Sequence, residues 1–231
     1  MREPTLSALR DYYAYLFGID RRDLWGGVTA RTHGEQLDGY EGDYVAYRGT
    51  GVHVSAPASA GPEVRDELAA APLSEVQSLA FWERFAARRS LRVIGPSTHS
   101  YLDVDPGPAE GVTRVNSGGL ASLLERVEEA DLAESGWNDE PPHTFGLYED
   151  GVLVAASNLN VFHQQPRDVG VIVAPEQRGR GLSVRVGRHA ASVAIREHGF
   201  ARWGARNANV ASLASARRVG FESWCSQLAV R

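Results

Sequence analysis

Apolar residues recur along the chain with two different periods, and their succession predicts an α/β protein with a mixed sheet. Spacings of three and four residues, as at Leu6, Leu9 and Tyr13, predict amphipathic helices. Short runs of β-branched and aromatic residues, bounded by glycine or proline, predict strands. The helices are predicted at 6–17, 62–71, 74–88, 120–133, 182–197 and 212–218, and the strands at 43–48, 51–55, 91–94, 112–115, 145–148, 152–161, 168–173, 201–205 and 223–230.

Turn-forming residues divide this pattern into two regions. The dipeptide Asp150-Gly151 is a strong hairpin signal between two of the predicted strands. The segment 105–111 is rich in proline and glycine, which is typical of a linker, and the segment 95–101 is predicted to be a polar loop. We therefore expect a smaller N-terminal α/β domain over 1–107 and a second domain over 108–231.

The stretch 168–183 has the architecture of an anion site, with a strand, a turn that contains two glycines, and the start of a helix. Gly179 and Gly181 let the backbone approach an anion, and the first N–H groups of the following helix point towards it. Arg178 and Arg180 add two cations at the same place. The turn has neither the Lys-Ser/Thr end of a P-loop nor the third glycine of a dinucleotide fingerprint. A turn that merely connects strand and helix is the alternative.

Two groups of residues in this half of the chain resemble motifs of the GNAT superfamily of acyl-CoA N-acyltransferases. The run 178–183 is similar to its pyrophosphate loop, Q/R-x-x-G-x-G/A, with Ser183 where the family prefers glycine or alanine. Asn209 leads a helix that closes on Gly220-Phe221, eleven positions further on, as in the family's second motif. The resemblance covers roughly the C-terminal half and implies a GNAT-type fold preceded by a smaller α/β domain.

The resemblance implies acetyl-CoA as a cosubstrate and a V-shaped opening between the strand that ends near Val173 and the strand that starts near Ala201. The pantetheine arm is expected along the first of these strands, and the diphosphate on the turn that follows it. The cofactor-binding residues implied in this way are Val171, Ile172, Val173, Arg178, Gly179, Arg180, Gly181, Leu182, Ser183, Asn209 and Ser212.

The resemblance also implies transfer of an acetyl group to the primary amine of a small molecule, which attacks the thioester directly. The expected catalytic residues are Asp168, as a base that acts through water, and Glu140, as a group that attracts a cationic amine. An ordinary solvent-exposed carboxylate is the alternative for each. The tyrosine that often protonates the thiolate in this family is replaced by Ala216, four positions before Gly220.

The replacement at Ala216 leaves a second function open, namely a non-catalytic acyl-CoA-binding or sensing protein with a degenerate acyltransferase site. His143 and His163, at the ends of predicted strands, are further candidates for a base, with structural histidines as the alternative. Asn158 and Asn160 share one face of a strand and face either substrate or solvent. Trp137 is a candidate to pack on the acceptor.

Composition and charge narrow the range of partners. The net charge of −5 favours neither nucleic acid nor an anionic membrane as a partner. Neither a membrane-spanning helix nor a secretory signal is expected, so the predicted location is the cytoplasm. The single cysteine, Cys225, excludes an internal disulfide, and the histidines lack the spacing of a metal site, so no metal is expected. We expect a monomer or a homodimer.

Overall fold

The chain divides into two compact units in a computed structural model that describes residues 1–115, 117–137 and 143–231. We name the units by their place along the chain. The central unit contains Met1–Arg2 and His99–Ser223, and the flanking unit contains Glu3–Thr98 and Trp224–Arg231. These units differ from the division predicted at 107/108, because the central unit already starts at His99 and the last strand belongs largely to the flanking unit.

Helices and strands follow one another throughout the described residues, and strands are paired both in parallel and in antiparallel. The fold is therefore of the mixed α/β class that the sequence predicts. In chain order the elements are α1 (Glu3–Phe17), β1 (Gly26–Thr32), β2 (Asp43–Arg48), β3 (Thr50–Ala56), α2 (Gly61–Ala70), α3 (Leu73–Val76), α4 (Leu79–Arg88), β4 (Val93–Leu102), β5 (Val112–Arg114), α5 (Ser117–Leu124), α6 (Glu129–Glu134), β6 (Thr144–Glu149), β7 (Val152–Phe162), β8 (Gln165–Val173), α7 (Leu182–His198), β9 (Ala201–Arg206), α8 (Val210–Val219) and β10 (Glu222–Val230).

The flanking unit builds its core between a sheet and the helix α4. Its hydrogen-bonded strand order is β1-β3-β2-β10-β4, in which β1 runs parallel to β3 and β2 runs antiparallel to both β3 and β10. Trp82 and Phe85 of α4 are buried with Val54 and Leu228 in one apolar cluster. The indole N–H of Trp82 donates to the carbonyl of Val76 at 2.8 Å, so its polar atom is satisfied inside that core.

His53 is fully buried in β3 of the flanking unit, where its hydrogen bonds fix it as a neutral ring. Its Nε2 accepts the backbone N–H of Trp25 at 2.7 Å, which leaves the ring proton on Nδ1, 2.8 Å from Thr29 Oγ1. Burial lowers the pKa of His53 to about 4, because the charged ring would lose its hydration.

The central unit places helices on both faces of a sheet with the strand order β4-β9-β8-β7-β6-β5. The strands from β5 to β8 pair in antiparallel fashion, whereas β8 and β9 are parallel. Val169 and Trp203 face α7 and pack with its Val186. On the opposite face, Ile172 packs with Leu123 of α5. Alternate residues of one strand thus serve two separate cores.

Several predicted elements are wrong in detail. Residues 26–32 form the strand β1, although two glycines at its start predict a loop, and the predicted polar loop 95–101 is part of the long strand β4. The predicted helix 74–88 is divided into α3 and α4, and the predicted helix 120–133 into α5 and α6. In the second case Val127, inside the interruption, is buried in the same cluster as Leu123. Apolar periodicity therefore continues across the break and conceals it.

The segment 105–111, predicted as a linker, lies within the central unit and is fastened to α7. Arg188 Nε donates to the carbonyl of Gly107 at 3.1 Å, and Arg185 donates to the carbonyl of Glu110 at 3.0 Å. The segment does not join the two units. Its proline and glycine content correctly indicates irregular backbone, but arginines supplied by a helix about 80 residues away hold that backbone in place.

We expect the buried His53 to make the flanking unit less stable in mild acid. The unfolded histidine binds a proton near pH 6.5, whereas the folded one binds it only near pH 4, so the free energy of unfolding falls as the pH decreases between these values. The full effect of this one group is about 3 kcal/mol. Urea unfolding at several pH values should show a shallower pH slope for His53→Gln than for the wild type, and identical slopes would contradict the assignment.

Candidate functional site

The parallel strands β8 and β9 separate immediately beyond their registered pair, Asp168 and Arg202. A cavity of about 330 Å³ opens where they diverge. One wall is formed by residues 169–173 of β8, and the other includes residues 203–205 of β9. The cavity therefore has the position that the sequence predicts for a V-shaped opening between these strands.

The residues predicted to bind the cofactor meet at this cavity, with one exception. Lining it are Val171, Ile172, Val173, Arg178, Gly179, Gly181, Leu182, Ser183, Asn209 and Ser212. They come from β8, from the turn before α7 and from the start of α8, which are brought together only by the fold. Their role in binding stays a prediction, while their convergence on one cavity is a property of the structure.

The turn between β8 and α7 needs glycine at two positions. Gly179 and Gly181 have φ angles of +79° and +76°, in the left-handed region that disfavours residues with a side chain. A Cβ atom added at either glycine would meet no atom within 4 Å, so the space beside the turn is open. Gly181 is the N-cap of the 17-residue helix α7, whose first N–H groups have no partners inside the helix. The turn thus offers N–H donors and free space on the cavity side.

The two arginines of the turn have different partners. Arg178 lines the cavity and donates to Asp131 of α6 at 2.6 Å. Arg180, the exception among the predicted cofactor residues, donates to both carboxylate oxygens of Glu149 at 2.7 and 2.9 Å. A paired fork of this kind fixes the guanidinium in one orientation. Arg178 is therefore the side chain at this turn that is placed to meet an anion in the cavity.

The start of α8 contributes polar groups that are already bonded within the protein. Asn209 is the N-cap, and its side-chain oxygen accepts the N–H of Ser212 at 2.9 Å. Its side-chain nitrogen donates to Glu134 of α6 at 3.1 Å. The hydroxyl of Ser212 accepts the indole N–H of Trp203 at 3.0 Å. Asn209 and Ser212 thus shape the cavity wall, and a ligand amide must replace or share these bonds.

Ala216, at the position of the family's usual tyrosine, is buried in the apolar core. Its neighbour Ser215 lines the cavity instead, with its hydroxyl 2.9 Å from that of Ser183. Ser215 also donates to the carbonyl of Ala211 at 3.0 Å. A serine hydroxyl held in this way joins α7 to α8 beside the cavity but does not provide an acid comparable to a tyrosine.

Asp168 lies in the cavity wall at the point where β8 and β9 part. Its Oδ2 accepts a hydrogen bond from Arg202 at 2.5 Å, whereas its Oδ1 is buried and accepts none from the described residues. Burial raises the pKa of this carboxyl, and the charge and hydrogen bond of Arg202 oppose the rise. The structure therefore presents, in the cavity wall, a carboxylate that is more basic than an exposed one and that is held through its Oδ2.

A polar end of the sheet surrounds Asp168. Asn160 is its register partner on β7, and Asn158 is the partner of Gly170, so these four residues share one face. Asn160 and Gly170 line the cavity. A Cβ atom at Gly170 would collide with the side-chain oxygen of Asn158 and with the carbonyl of Ser135. The sequence left open whether the two asparagines face substrate or solvent. Asn160 lines the cavity, whereas Asn158 is fully buried.

Glu140, the second predicted catalytic residue, falls outside the described residues. His143, Trp137 and Cys225 are described and are not among the residues that line the cavity. The Nδ1 of His143 is 3.2 Å from the guanidinium of Arg114. Cys225 is buried in the flanking unit and donates to the hydroxyl of Tyr13 at 3.2 Å. Trp137 packs against the apolar cluster of α5 and α6.

The structure adds site residues that sequence reasoning did not find. The cavity is also lined by Asp131, Glu134 and Ser135 of the α6 segment. Arg202 donates hydrogen bonds to Asp168 and to His99. The acidic pattern of α6 was a signal in the sequence, but it is equally typical of a solvent-exposed helix face. No local pattern connects His99, Asp168 and Arg202, which lie far apart in the chain.

Residues 119–221 match the model of the acetyltransferase (GNAT) family. One similar solved structure is an acetyltransferase from the GNAT family of Colwellia psychrerythraea, with 18% identity over 60% of this chain and 56% of that one and a TM-score of 0.47. A GCN5-related N-acetyltransferase from Kribbella flavida has 19% identity over 61% of this chain and 59% of that one, with a TM-score of 0.40. Another, from Sphaerobacter thermophilus, has 14% identity over 64% of this chain and 55% of that one, with a TM-score of 0.45. The alignments span little more than half of each of these chains. A comparison with curated protein sequences gives no match.

Two further observations concern only the described residues 1–115, 117–137 and 143–231. None of their helices combines the length and the apolar character needed to cross a membrane. Within the same ranges, no three His, Cys, Asp or Glu residues are grouped so that they could hold a metal ion.

We expect the two arginines of the turn to differ in their importance for binding coenzyme A. Arg178→Gln removes the cation that lines the cavity and should weaken binding about tenfold, the loss of one charge-assisted hydrogen bond. Arg180→Gln is the matched control, since Arg180 also pairs with a carboxylate but is not among the residues that line the cavity, and it should change the dissociation constant less than threefold (about 0.6 kcal/mol). Isothermal calorimetry measures both, and a larger loss for Arg180→Gln would reverse the assignment.

Proposed function

We propose that the protein is an N-acetyltransferase, starting from the match of residues 119–221 to the model of the acetyltransferase (GNAT) family. In the proposed reaction, the primary amine of a small molecule takes the acetyl group of acetyl-CoA by direct attack. The carbon–nitrogen bond forms, the carbon–sulfur bond breaks, and the proton of the amine passes through water to Asp168. The observation that carries the proposal is the single cavity that both the glycine turn and the Asp168 carboxylate line.

The residues of the cavity fit coenzyme A. Gly179 and Gly181 leave open space where any side chain would project, and a diphosphate needs this space to reach backbone N–H groups. Beyond Asp168, the edge of β8 that faces β9 is no longer paired with it. An extended amide-bearing chain can add to such an edge as another strand would. We therefore assign Val171–Val173 to the pantetheine arm and residues 178–183 to the diphosphate.

The bound thioester would supply an acyl carbon that an amine can attack without a covalent enzyme intermediate. The protein's main task is then to orient the two reactants and to accept a proton, since primary amines are largely protonated at neutral pH. Asp168 is suited to this task because it lines the cavity with a side chain that is 23% exposed, and because burial raises the pKa of its carboxyl.

The departing thiolate does not require a dedicated acid in this proposal. Ala216 is buried in the core, so the side chain at the usual tyrosine position is directed into packing rather than into the cavity. A thiol with a pKa near 8.5 is a moderately good leaving group, and its thiolate can take a proton from water. The same observation favours the second candidate function, a protein that binds acyl-CoA without turnover.

We expect acetyl-CoA and CoA to raise the melting temperature, and a single charge in the turn to abolish this effect. At a ligand concentration of about 100 times the dissociation constant, the shift should be roughly 5–10 °C. Gly181→Asp places a carboxylate against the diphosphate and should remove the shift, while Gly181→Asn, nearly identical in shape and backbone preference, should keep most of it. Equal behaviour of the two variants would contradict a diphosphate site at this turn.

We expect Asp168→Asn to separate the two candidate functions. In an amine screen that detects free CoA thiol, this variant should lower kcat by roughly 10²- to 10⁴-fold, the usual contribution of a general base, with little change in acetyl-CoA binding. The activity of the wild type should rise with pH as Asp168 loses its proton. Asp150→Asn, on an exposed hairpin, controls for loss of a carboxylate. Binding of acetyl-CoA without thiol release from any amine would identify the non-catalytic function.

A further inference from the structure

Arg202 is packed behind Asp168 and is held by three different groups. Its guanidinium donates to Asp168 Oδ2 and, at 2.9 Å, to Nδ1 of His99 on β4. It also lies 4.9 Å from the centre of the Phe162 ring, over which it can form a cation–π contact. The side chain of Arg202 is only 15% exposed. These contacts leave the guanidinium little freedom to move away from the carboxylate.

His99 is a neutral hydrogen-bond acceptor for this arginine. It is buried, and burial, together with the charge of Arg202, lowers its pKa well below the ordinary value of 6.5. The same guanidinium nitrogen lies 2.9 Å from Nδ1 and 3.3 Å from Nε2, so the nearer nitrogen, Nδ1, is assigned as the acceptor. His99 therefore stays uncharged through the physiological range and serves as the second anchor of Arg202.

The three residues stand at the vertex where β8 and β9 part, with Asp168 towards the cavity. Asp168 and Arg202 are the register pair at which the two strands are still joined, so their separation is set by the sheet itself. The described groups that face the Asp168 carboxylate are Arg202 from β9, with His99 behind it on β4, and the uncharged Asn160 opposite on β7. Arg202 bonds Oδ2, and Oδ1 is buried and accepts no hydrogen bond from the described residues.

We propose that Arg202 and His99 are positioning residues, which keep the carboxyl of Asp168 ionised and fix its orientation at the point where β8 and β9 part. The inference rests on the function proposed above, because it assigns to Asp168 the role of base. Without the guanidinium, a carboxyl in this place would hold its proton and could not accept another. Without His99, Arg202 would lose its second acceptor and with it the defined orientation of the pair.

The ionisation of Asp168 can be measured without any turnover. Carbon-13 NMR titration of the aspartate carboxyls, assigned by the signal lost in Asp168→Asn, should give a pKa for Asp168 that rises by more than one unit in Arg202→Met. In Arg202→Lys, which keeps the charge but not the fork, the rise should be smaller. An unchanged pKa of Asp168 in a folded Arg202→Met variant overturns the proposal. If Arg202→Met does not fold, the remaining variants decide. The proposal is then overturned by an unchanged pKa of Asp168 in Arg202→Lys together with wild-type kinetics of the His99 variants.

The kinetic part of the test uses His99. We expect His99→Leu to lower kcat about tenfold and to shift the acid limb of the kcat/KM profile upwards, with the KM for acetyl-CoA unchanged. His99→Asn, whose side-chain oxygen can take the place of Nδ1, should restore most of the activity. Equal losses in both variants, or a change confined to stability, would overturn the role of His99. If the wild type turns over no amine at all, the proposed N-acetyltransferase function fails, while the NMR titration still decides whether Arg202 controls Asp168.

Discussion

The parting of β8 and β9 is the constraint on which the rest of the site depends. Parallel strands normally satisfy each other's backbone groups along their whole length. Here the pairing stops at Asp168 and Arg202, so the backbone of β8 beyond that point faces a cavity instead of a strand. These groups can bond water when the cavity is empty of ligand and can bond an extended amide chain when it is not. The opening costs little stability because solvent reaches it, and it creates a strand edge to which an extended amide chain can bond.

The alternation of side chains along β8 assigns different tasks to its two faces. Val169 faces α7 within a continuous apolar core, and Ile172 faces α5. On the face of Ile172, however, the next alternate positions are Gly170 and Asp168, so the surface changes from apolar to polar towards the vertex. The space that a side chain at Gly170 would occupy is taken by Asn158. One strand thus contributes to two apolar cores and to the polar wall of the cavity.

Local signals in the sequence were sufficient for the parts of the site that depend on backbone geometry. Gly179 and Gly181 were predicted as a turn before a helix, and both adopt the left-handed conformation that requires glycine. Asn209 was predicted to lead a helix, and it is the N-cap of α8. These features depend on neighbours within a few residues, so the local sequence is sufficient to predict them.

Features that depend on distant partners could not be predicted. Arg178 and Arg180 are equivalent in the sequence, and only Asp131 and Glu149, supplied by separate elements, give them different surroundings. The run around His99 contains glycine, proline and hydroxyl residues, so it was predicted as a loop, yet it is a strand that is half-buried over 93–98 and buried over 99–102. Polar residues in a strand interior contradict the usual pattern, and His99 is explained by its hydrogen bond with Arg202, a residue far away in the chain.

The buried pair of Asp168 and Arg202 is difficult to explain by stability alone. Removing two charges from water costs several kcal/mol per ion, and their mutual attraction compensates this only in part, so a pair of apolar residues would hold the strands together at least as well. The pair also recruits a third polar group, His99, whose pKa burial depresses. Such an arrangement is retained more readily where an ionised carboxylate is needed at a defined place. The position of Asp168 in the cavity wall, where β8 and β9 part, is consistent with that need.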